Sequence, residues 1–241
     1  MRVLVISDVH ANLSALSAVL DDAADQYDTI WSLGDIVGYG PRPNECIAAL
    51  CEHEHVAVPG NHDYGVLGRI ALSDFNPDAR GANLWTRAQL TPPSLQYLSG
   101  LPEKIVIGEF TLAHGSPREP VWGYLLYPRT AYDSMAFFDT PVCLVGHTHV
   151  PVIYAAGDGE AVALPPQPGV TVLLDDGRYI INPGSVGQPR DGNPAASYML
   201  LDTVARSFSH RRVSYDVART QADMRSFGLS PRLIARLDQG W

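Results

Sequence analysis

Short apolar runs recur along this chain, and each stops at a glycine or polar turn that carries aspartate, asparagine or histidine. Residues 3–6 run into Asp8-Val9-His10, and Trp31-Ser32-Leu33 runs into Gly34-Asp35, followed by Ile36-Val37-Gly38-Tyr39-Gly40-Pro41. A third run meets Gly60-Asn61-His62-Asp63, a fourth delivers His114-Gly115, and a fifth ends at Gly146-His147-Thr148-His149. Continuous apolar runs this short are expected of strands covered on both faces. The carboxyl ends of such strands are where α/β folds gather reactive side chains.

Between the runs the apolar period changes. Leu13, Leu16, Val19 and Leu20 keep helical spacing behind Asn12, a cap residue, and Pro43 opens a second helix with Ile47 and Leu50 inside. Strands over 29–33 and 55–58 complete a strand, helix, strand order with short loops, which predicts right-handed crossovers and a parallel sheet. Residues 65–98 are expected to be mostly helical, divided at Pro92-Pro93, with Trp85 and Leu90 as packing anchors. A hairpin of 105–107 and 110–113 closes at Gly108-Glu109, and a helix covers 129–138. Strands follow at 142–145, 152–155, 170–174, 179–181, 197–201 and 208–213. Asp175-Asp176-Gly177 has the composition of a hairpin turn. The proline-rich stretch 164–169 is expected as an exposed loop, and 220–241 as one or two helices with Leu233, Ile234 and Leu237 inward. With no internal repeat and no long linker, one domain over 1–241 is the expectation.

The balance of 17 basic against 26 acidic residues, net −9, argues against extended nucleic-acid binding and against a polybasic membrane patch. No apolar run approaches the roughly 20 residues that span a bilayer. The N-terminal run is interrupted too early by Asp8 for a secretory signal. Three cysteines without metal-type spacing are expected as reduced thiols in a cytoplasmic protein.

In extended backbone, residues two apart point to the same side, so Asp8 with His10, and His147 with His149, can each converge on one ion. Asp35, Asn61 and His114 end three further strands. The set offers three carboxylate or amide oxygens, four imidazoles and no sulfur. That suits borderline divalent ions such as manganese, iron or zinc, whereas oxygen alone would suit magnesium or calcium. Four imidazoles and two aspartates at buried strand ends are costly without a cation. His53, His55 and His210 lie outside this pattern and are expected to be structural or exposed.

Asp8-x-His10, Gly34-Asp35, Gly60-Asn61-His62-Asp63, His114 and Gly146-His147-Thr148-His149, in this order, resemble the calcineurin-like metallophosphoesterase superfamily. Asn182-Pro183-Gly184-Ser185-Val186-Gly187, with Gln188-Pro189-Arg190 after it, resembles the small bacterial phosphodiesterase branch. The resemblance implies an α/β fold, a four-layer α-β-β-α sandwich of two mixed sheets flanked by helices. It implies Asp8, His10, Asp35 and His149 at one metal, with Asp35, Asn61, His114 and His147 at the other. Two ions about 3.5–4 Å apart would hold a bridging hydroxide and neutralise phosphoryl oxygens. His62 would protonate the leaving oxygen or stabilise its charge, with Asp63 orienting the imidazole. Tyr39, Asn182, Ser185 and Arg190 are expected substrate contacts. The expected cofactor is two divalent ions, Mn2+ first, with Fe, Zn, Ni or Co as alternatives.

Two departures matter. Ala11 stands where the superfamily usually has glycine, which is tolerable only if that backbone angle is not left-handed. Tyr39 stands where protein serine/threonine phosphatases carry a phosphate-gripping arginine, so a phosphomonoester dianion loses a bidentate partner. The expectation is therefore a phosphodiesterase for small phosphodiesters or nucleotides, with residues 65–98 as a cap or as cover for a sheet edge. A protein phosphatase, a dinucleoside polyphosphate hydrolase and a non-catalytic binding module are the rivals, and a homo-oligomer is compatible with the sequence.

Overall fold

The computed structural model describes residues 1–241. Strands β1 (Arg2–Ile6), β2 (Thr29–Ser32) and β3 (His55–Ala57) pair in parallel, linked through helices α1 (Leu13–Asp22) and α2 (Pro43–Cys51). Asn12 caps α1 by accepting the Ala15 amide at 3.2 Å. Pro43 begins α2 at the position where its missing N–H leaves no bond unmade. Helices α3 (Asn61–Leu67), α4 (Pro77–Gln89) and α5 (Pro92–Ser99) follow, with a 3-10 turn at Leu72–Asp74.

The second half is strand-rich. β4 (Lys104–Ile107) and β5 (Phe110–Ala113) form the expected hairpin, and α6 (Pro128–Ser134) leads to β6 (Val142–Leu144). Then come β7 (Val152–Ala156), β8 (Ala161–Leu164), β9 (Thr171–Leu173), β10 (Tyr179–Asn182), β11 (Ala196–Asp202) and β12 (Ser207–Val213). Helices α7 (Val217–Ser226) and α8 (Pro231–Gln239) close the chain. One mixed sheet has the order β3-β2-β1-β11-β12-β9, the other β4-β5-β6-β10-β7-β8.

Alternation along the strands builds the layers. Val3 and Val5 of β1 join Trp31, Phe110, Leu112, Leu144 and Phe208 in a core between the sheets. Leu4 and Ile6 point the other way, onto Leu16, Val19, Ile47 and Leu50 of α1 and α2. On the far side, Cys143 and Ile180 pack against Ala131 of α6, with Met135 and Phe138. The result is the expected α-β-β-α sandwich. No helix is long and apolar enough to cross a membrane.

Two local expectations fail. Asp175-Asp176-Gly177 does not close a hairpin, because β9 pairs with β12 in one sheet while β10 pairs with β6 and β7 in the other. The Asp175 carboxylate accepts the Gly177 amide at 2.7 Å, so the turn is real. Its composition fixes the bend and not the partner, and here the chain crosses between sheets. Leu164 belongs to β8, an edge strand whose last three side chains are exposed, so no burial pattern marked it in the sequence.

Strands β11 and β12 anchor the loop that follows β10. Ser197 Oγ donates to the Pro183 carbonyl at 2.5 Å, so His210 Nε2 must donate to Ser197 Oγ, at 2.7 Å. Burial, with Arg212 adding repulsion, pushes the His210 pKa down to about 4. The unfolded histidine titrates near 6.5, so its contribution to stability is complete above that pH and is lost as pH falls from 6.5 through 4. Denaturant unfolding at pH 7 and pH 5 checks this: His210→Gln should shrink the stability difference between the two by about 1–2 kcal/mol.

Candidate metal centre

Five loops leave the two sheets at one end of the sandwich. Asp8 and His10 follow β1, Asp35 follows β2, Asn61 begins α3 after β3, His114 follows β5, and His147 and His149 follow β6. The structure brings all seven together, and none exposes more than 4 % of its surface. Donor atoms of Asp8, His10, Asp35 and His149 form one cluster, and those of Asp35, His114 and His147 form a second, each spanning no more than 4.8 Å. Asp35 is common to both. Its Oδ2 lies 3.6 Å from His10 Nε2 and 3.4 Å from His114 Nε2.

The imidazole orientations follow from the backbone carbonyls behind them. His10 Nδ1 faces Val37 O at 3.2 Å, His114 Nδ1 faces Leu33 O at 2.7 Å, and His149 Nδ1 faces Gln188 O at 2.6 Å. A carbonyl only accepts, so each Nδ1 carries a proton, and the neutral rings of His10 and His149 present a lone pair at Nε2. His10 Nε2 and His149 Nε2 then face each other at 3.1 Å, and His114 Nε2 faces His147 Nδ1 at 3.2 Å. Asp8 Oδ1, Asn61 Oδ1 and His147 Nε2 have no hydrogen-bond partner. Buried lone pairs aimed at one another repel, and a shared cation reverses the sign of that interaction.

Electrostatics prepare the same donors. Burial pushes His10, His147 and His149 well below the usual histidine range, which keeps them neutral. Burial works to raise Asp35, but His114, His62 and His10 around it hold it well below the carboxylate range. Burial opposes charge on His114 too, and Asp35 beside it prevails, raising the pKa to about 9. Burial lifts Asp8 to about 7. An ionised carboxylate among three neutral imidazoles, with a His114 proton that an entering ion would displace, is a cation-binding set.

The convergence does not come from extended backbone, as the two-residue spacing suggested. Asp8 (φ 54°), His10 (48°), Asp35 (51°), His147 (69°) and His149 (61°) are all left-handed, as are Ala11 (51°) and Tyr39 (56°). Elsewhere only Asp25 and Arg206 among non-glycine residues share that region. Each such residue costs roughly 1–2 kcal/mol, and strain of this kind collects at functional sites. Gly60 is needed for another reason, since a Cβ there would run into the Asp35 carboxylate.

The remaining expected site residues divide. A cavity of about 270 Å³ opens on the centre, and His62, Tyr39 and Arg190 line it along with Asp35, Asn61, His147 and His149. Arg190 donates to Gln188 Oε1 at 2.8 Å, lies 5.8 Å over the Tyr39 ring and has no carboxylate partner. Asp63 does not orient His62. Its carboxylate accepts the amides of Gly60, Val37 and Ile36 at 2.9, 3.1 and 3.3 Å, tying the two loops together, and His62 Nδ1 has no hydrogen-bond partner. Asn182 and Ser185 do not line the cavity. Asn182 donates to Gly146 O at 2.6 Å and accepts the Gly184 amide at 2.8 Å, while Ser185 donates to Asp8 O at 2.8 Å and accepts the Gln188 amide at 2.8 Å. Both brace backbone, since each side chain donates to one backbone carbonyl and accepts from one backbone amide.

Asp74, Phe75, Asn76, Trp122 and Tyr124 also line the cavity, and sequence reasoning passed over them. Trp122-Gly123-Tyr124, two aromatics around a glycine in the loop between β5 and α6, is a pattern that could have drawn attention. Asp74 to Asn76 carry only the signal of a helix start, and Asn76 does cap α4 by accepting the Ala79 amide at 3.0 Å.

Comparison with known proteins agrees with this geometry: residues 1–206 match the calcineurin-like phosphoesterase superfamily domain. The chain belongs to that superfamily. It is a phosphoric ester hydrolase of the calcineurin-like type. It is 40% identical over 223 residues to an uncharacterized protein of Methanocaldococcus jannaschii, covering 90% of this chain and 89% of that one. It is 28% identical over 204 residues to the phosphodiesterase YfcE of Escherichia coli, covering 84% and 88%. The crystal structure of a metallophosphoesterase from Sphaerobacter thermophilus superimposes with a TM-score of 0.92 at 49% identity, over 100% of this chain and 99% of that one. In this calcineurin-like chain the donor set fits divalent metal ions.

The left-handed angle at Ala11 is the one the expectation called intolerable, yet a methyl occupies it, fully buried. Glycine there would relieve about 1–2 kcal/mol of strain. It would also lose about 0.8 kcal/mol of methyl burial and about 0.4–1 kcal/mol through the freer unfolded chain. These nearly cancel. Ala11→Gly should therefore change unfolding free energy by less than about 1 kcal/mol, whereas β-branched Ala11→Val should lose more than about 2 kcal/mol, both measurable by urea titration.

Proposed function

We propose that this calcineurin-like phosphoesterase is a dinuclear metal-dependent phosphodiesterase acting on small phosphodiesters. The observation that carries it is the pair of donor clusters sharing Asp35, with unpaired lone pairs converging in each. Asp8, His10, Asp35 and His149 would hold one ion, and Asp35, Asn61, His114 and His147 the other. A bound cation pair supplies Lewis acidity and lowers the pKa of water. Manganese is the first metal to try, with iron, zinc, nickel and cobalt as alternatives, since nitrogen and oxygen donors without sulfur suit that series.

The chain's own side chains account for the rest. Arg190, without a carboxylate partner, is available to one phosphate oxygen. A diester anion carries one negative charge, so a single guanidinium serves it, and Tyr39 in place of a second arginine disfavours dianionic monoesters. Burial pushes the His62 pKa to about 4, so the ring is neutral at pH 7. From the cavity wall it can hydrogen-bond the leaving oxygen as charge develops there. The three cysteines are unpaired, which supports a reducing, cytoplasmic setting.

Hydrolysis of bis(4-nitrophenyl) phosphate by the manganese-loaded protein should vanish on chelation and return with the metal, and metal analysis should find two ions per chain. Asp35→Ala should lose both ions and lower the rate by more than about a hundredfold, since even residues behind the ligands are worth 10–100-fold. Full activity in the chelated protein would refute the reading. His62→Ala should slow diesters with alkyl leaving groups by about 10²–10⁴, and nitrophenyl esters far less, because nitrophenolate needs little help to depart. Equal losses on both would remove His62 from leaving-group stabilisation.

A further inference from the structure

The cavity has a wall that phosphodiester hydrolysis as described leaves unused. Phe75 meets Trp122 edge to face with centroids 4.7 Å apart, and Tyr124 lies 3.9 Å from the His147 ring. Trp122 is half-buried, and Tyr124 is 46% exposed at the mouth. Beside them the Asp74 carboxylate accepts only from Ser73 Oγ, at 3.2 Å, and pairs with no arginine or lysine. Asn76 spends its side-chain oxygen on the α4 cap, which leaves its amide N–H groups to the cavity.

Charge and size restrict what could occupy this wall. Arg190 is the one arginine or lysine in the cavity lining, enough for the reacting phosphate alone. A second phosphate, or an acidic peptide around a phosphorylated residue, would meet Asp74 with no cation to offset it. At about 270 Å³ the cavity falls just under the usual range for small-molecule sites, room for one ring system and no peptide. Flat aromatic walls bind flat partners, and a free carboxylate at the edge accepts hydrogen bonds from an amine.

Resting on the phosphodiesterase reading, we infer that Phe75, Trp122 and Tyr124 with Asp74 and Asn76 select a diester that carries an amino-bearing heteroaromatic ring. That is the chemistry of a nucleoside whose base has an exocyclic amine. The ring stacks on the Trp122 and Tyr124 side of the cavity, its amine donates to Asp74, and Asn76 donates to a ring nitrogen or carbonyl. Asp74 to Asn76 lie in the segment 65–98, which thereby acts as a substrate-selecting cap.

Calorimetric titration of the manganese-loaded full chain tests this with adenosine monophosphate, uridine monophosphate and ribose phosphate as probes, three monoesters that share any penalty at the phosphate, so that their ratios report the base alone. Adenosine monophosphate should bind about tenfold tighter than ribose phosphate, the low end of what a stacked base gives. Trp122→Leu should bring that ratio close to one, and Asp74→Asn should narrow the preference for adenosine over uridine monophosphate. If Trp122→Leu does not fold, Tyr124→Ala at the exposed mouth takes its place. A merely structural aromatic cluster would shift melting and leave the ratios alone. Equal binding of adenosine monophosphate and ribose phosphate, or ratios unmoved by the substitutions, overturns the inference. Hydrolysis of bis(4-nitrophenyl) phosphate separates the two levels: activity without base discrimination overturns this inference alone, and no activity overturns the phosphodiesterase reading beneath it.

Discussion

Buried lone pairs that point at one another set the terms for the rest of this molecule. Three backbone carbonyls, from Leu33, Val37 and Gln188, accept the Nδ1 protons of His114, His10 and His149 and so aim their Nε2 atoms inward. The ionised Asp35 stands between the two groups. In a low dielectric such an arrangement raises the folded state's energy, and it does so most where the donors are closest. A cation turns each of these repulsions into an attraction. The same atoms that make the site costly alone make it specific for positive charge.

Holding donors in that arrangement requires backbone that ordinary loops avoid. Left-handed residues at positions 8, 10, 35, 147 and 149 bend the chain sharply as it leaves the strands, turning adjacent side chains to a common point. What keeps those bends is a set of polar residues whose hydrogen bonds go to backbone. Asp63 gathers the amides of Ile36, Val37 and Gly60, and Ser185 holds the Asp8 carbonyl. Asn182 holds the Gly146 carbonyl, and the Asp8 carboxylate itself accepts the His147 amide at 3.1 Å. These residues sit one layer behind the donors, and their sequence context looks much like that of residues that touch ligands.

That explains which parts of the molecule were legible in the sequence. Strand and helix identities were, because apolar periodicity reports burial directly: Leu4 and Ile6 face helices while Val3 and Val5 face the other sheet. The gathering of seven donors was legible because each ends a strand, and strand ends converge once the sheets form. The direction of a polar loop side chain was not. Asp63, Asn182 and Ser185 turn inward to backbone amides and carbonyls through tertiary contacts that no local pattern encodes. Phe75 and Trp122 were hidden for the opposite reason, since an aromatic in a loop or before a helix reads as packing until its neighbours are known. β8 and the crossing at Asp175 share a cause, as edge exposure and pairing partner are set by the whole sheet.

The donors are divided between the sheets in a way that ties binding to architecture. Asp8, His10, Asp35 and Asn61 come from loops after β1, β2 and β3 of one sheet, while His114, His147 and His149 come from β5 and β6 of the other. Each cluster therefore contains residues from both sheets. Whatever ion satisfies a cluster also joins the sheets at the end where five loops leave them, adding a constraint to the apolar core of Trp31, Phe110 and Phe208. Binding free energy gained there is gained only by the native packing, because no unfolded arrangement brings residues 8 and 149 together. Affinity for the cation and stability of the sandwich are thus two expressions of one coupling, and a substitution that loosens the sheet interface acts on both.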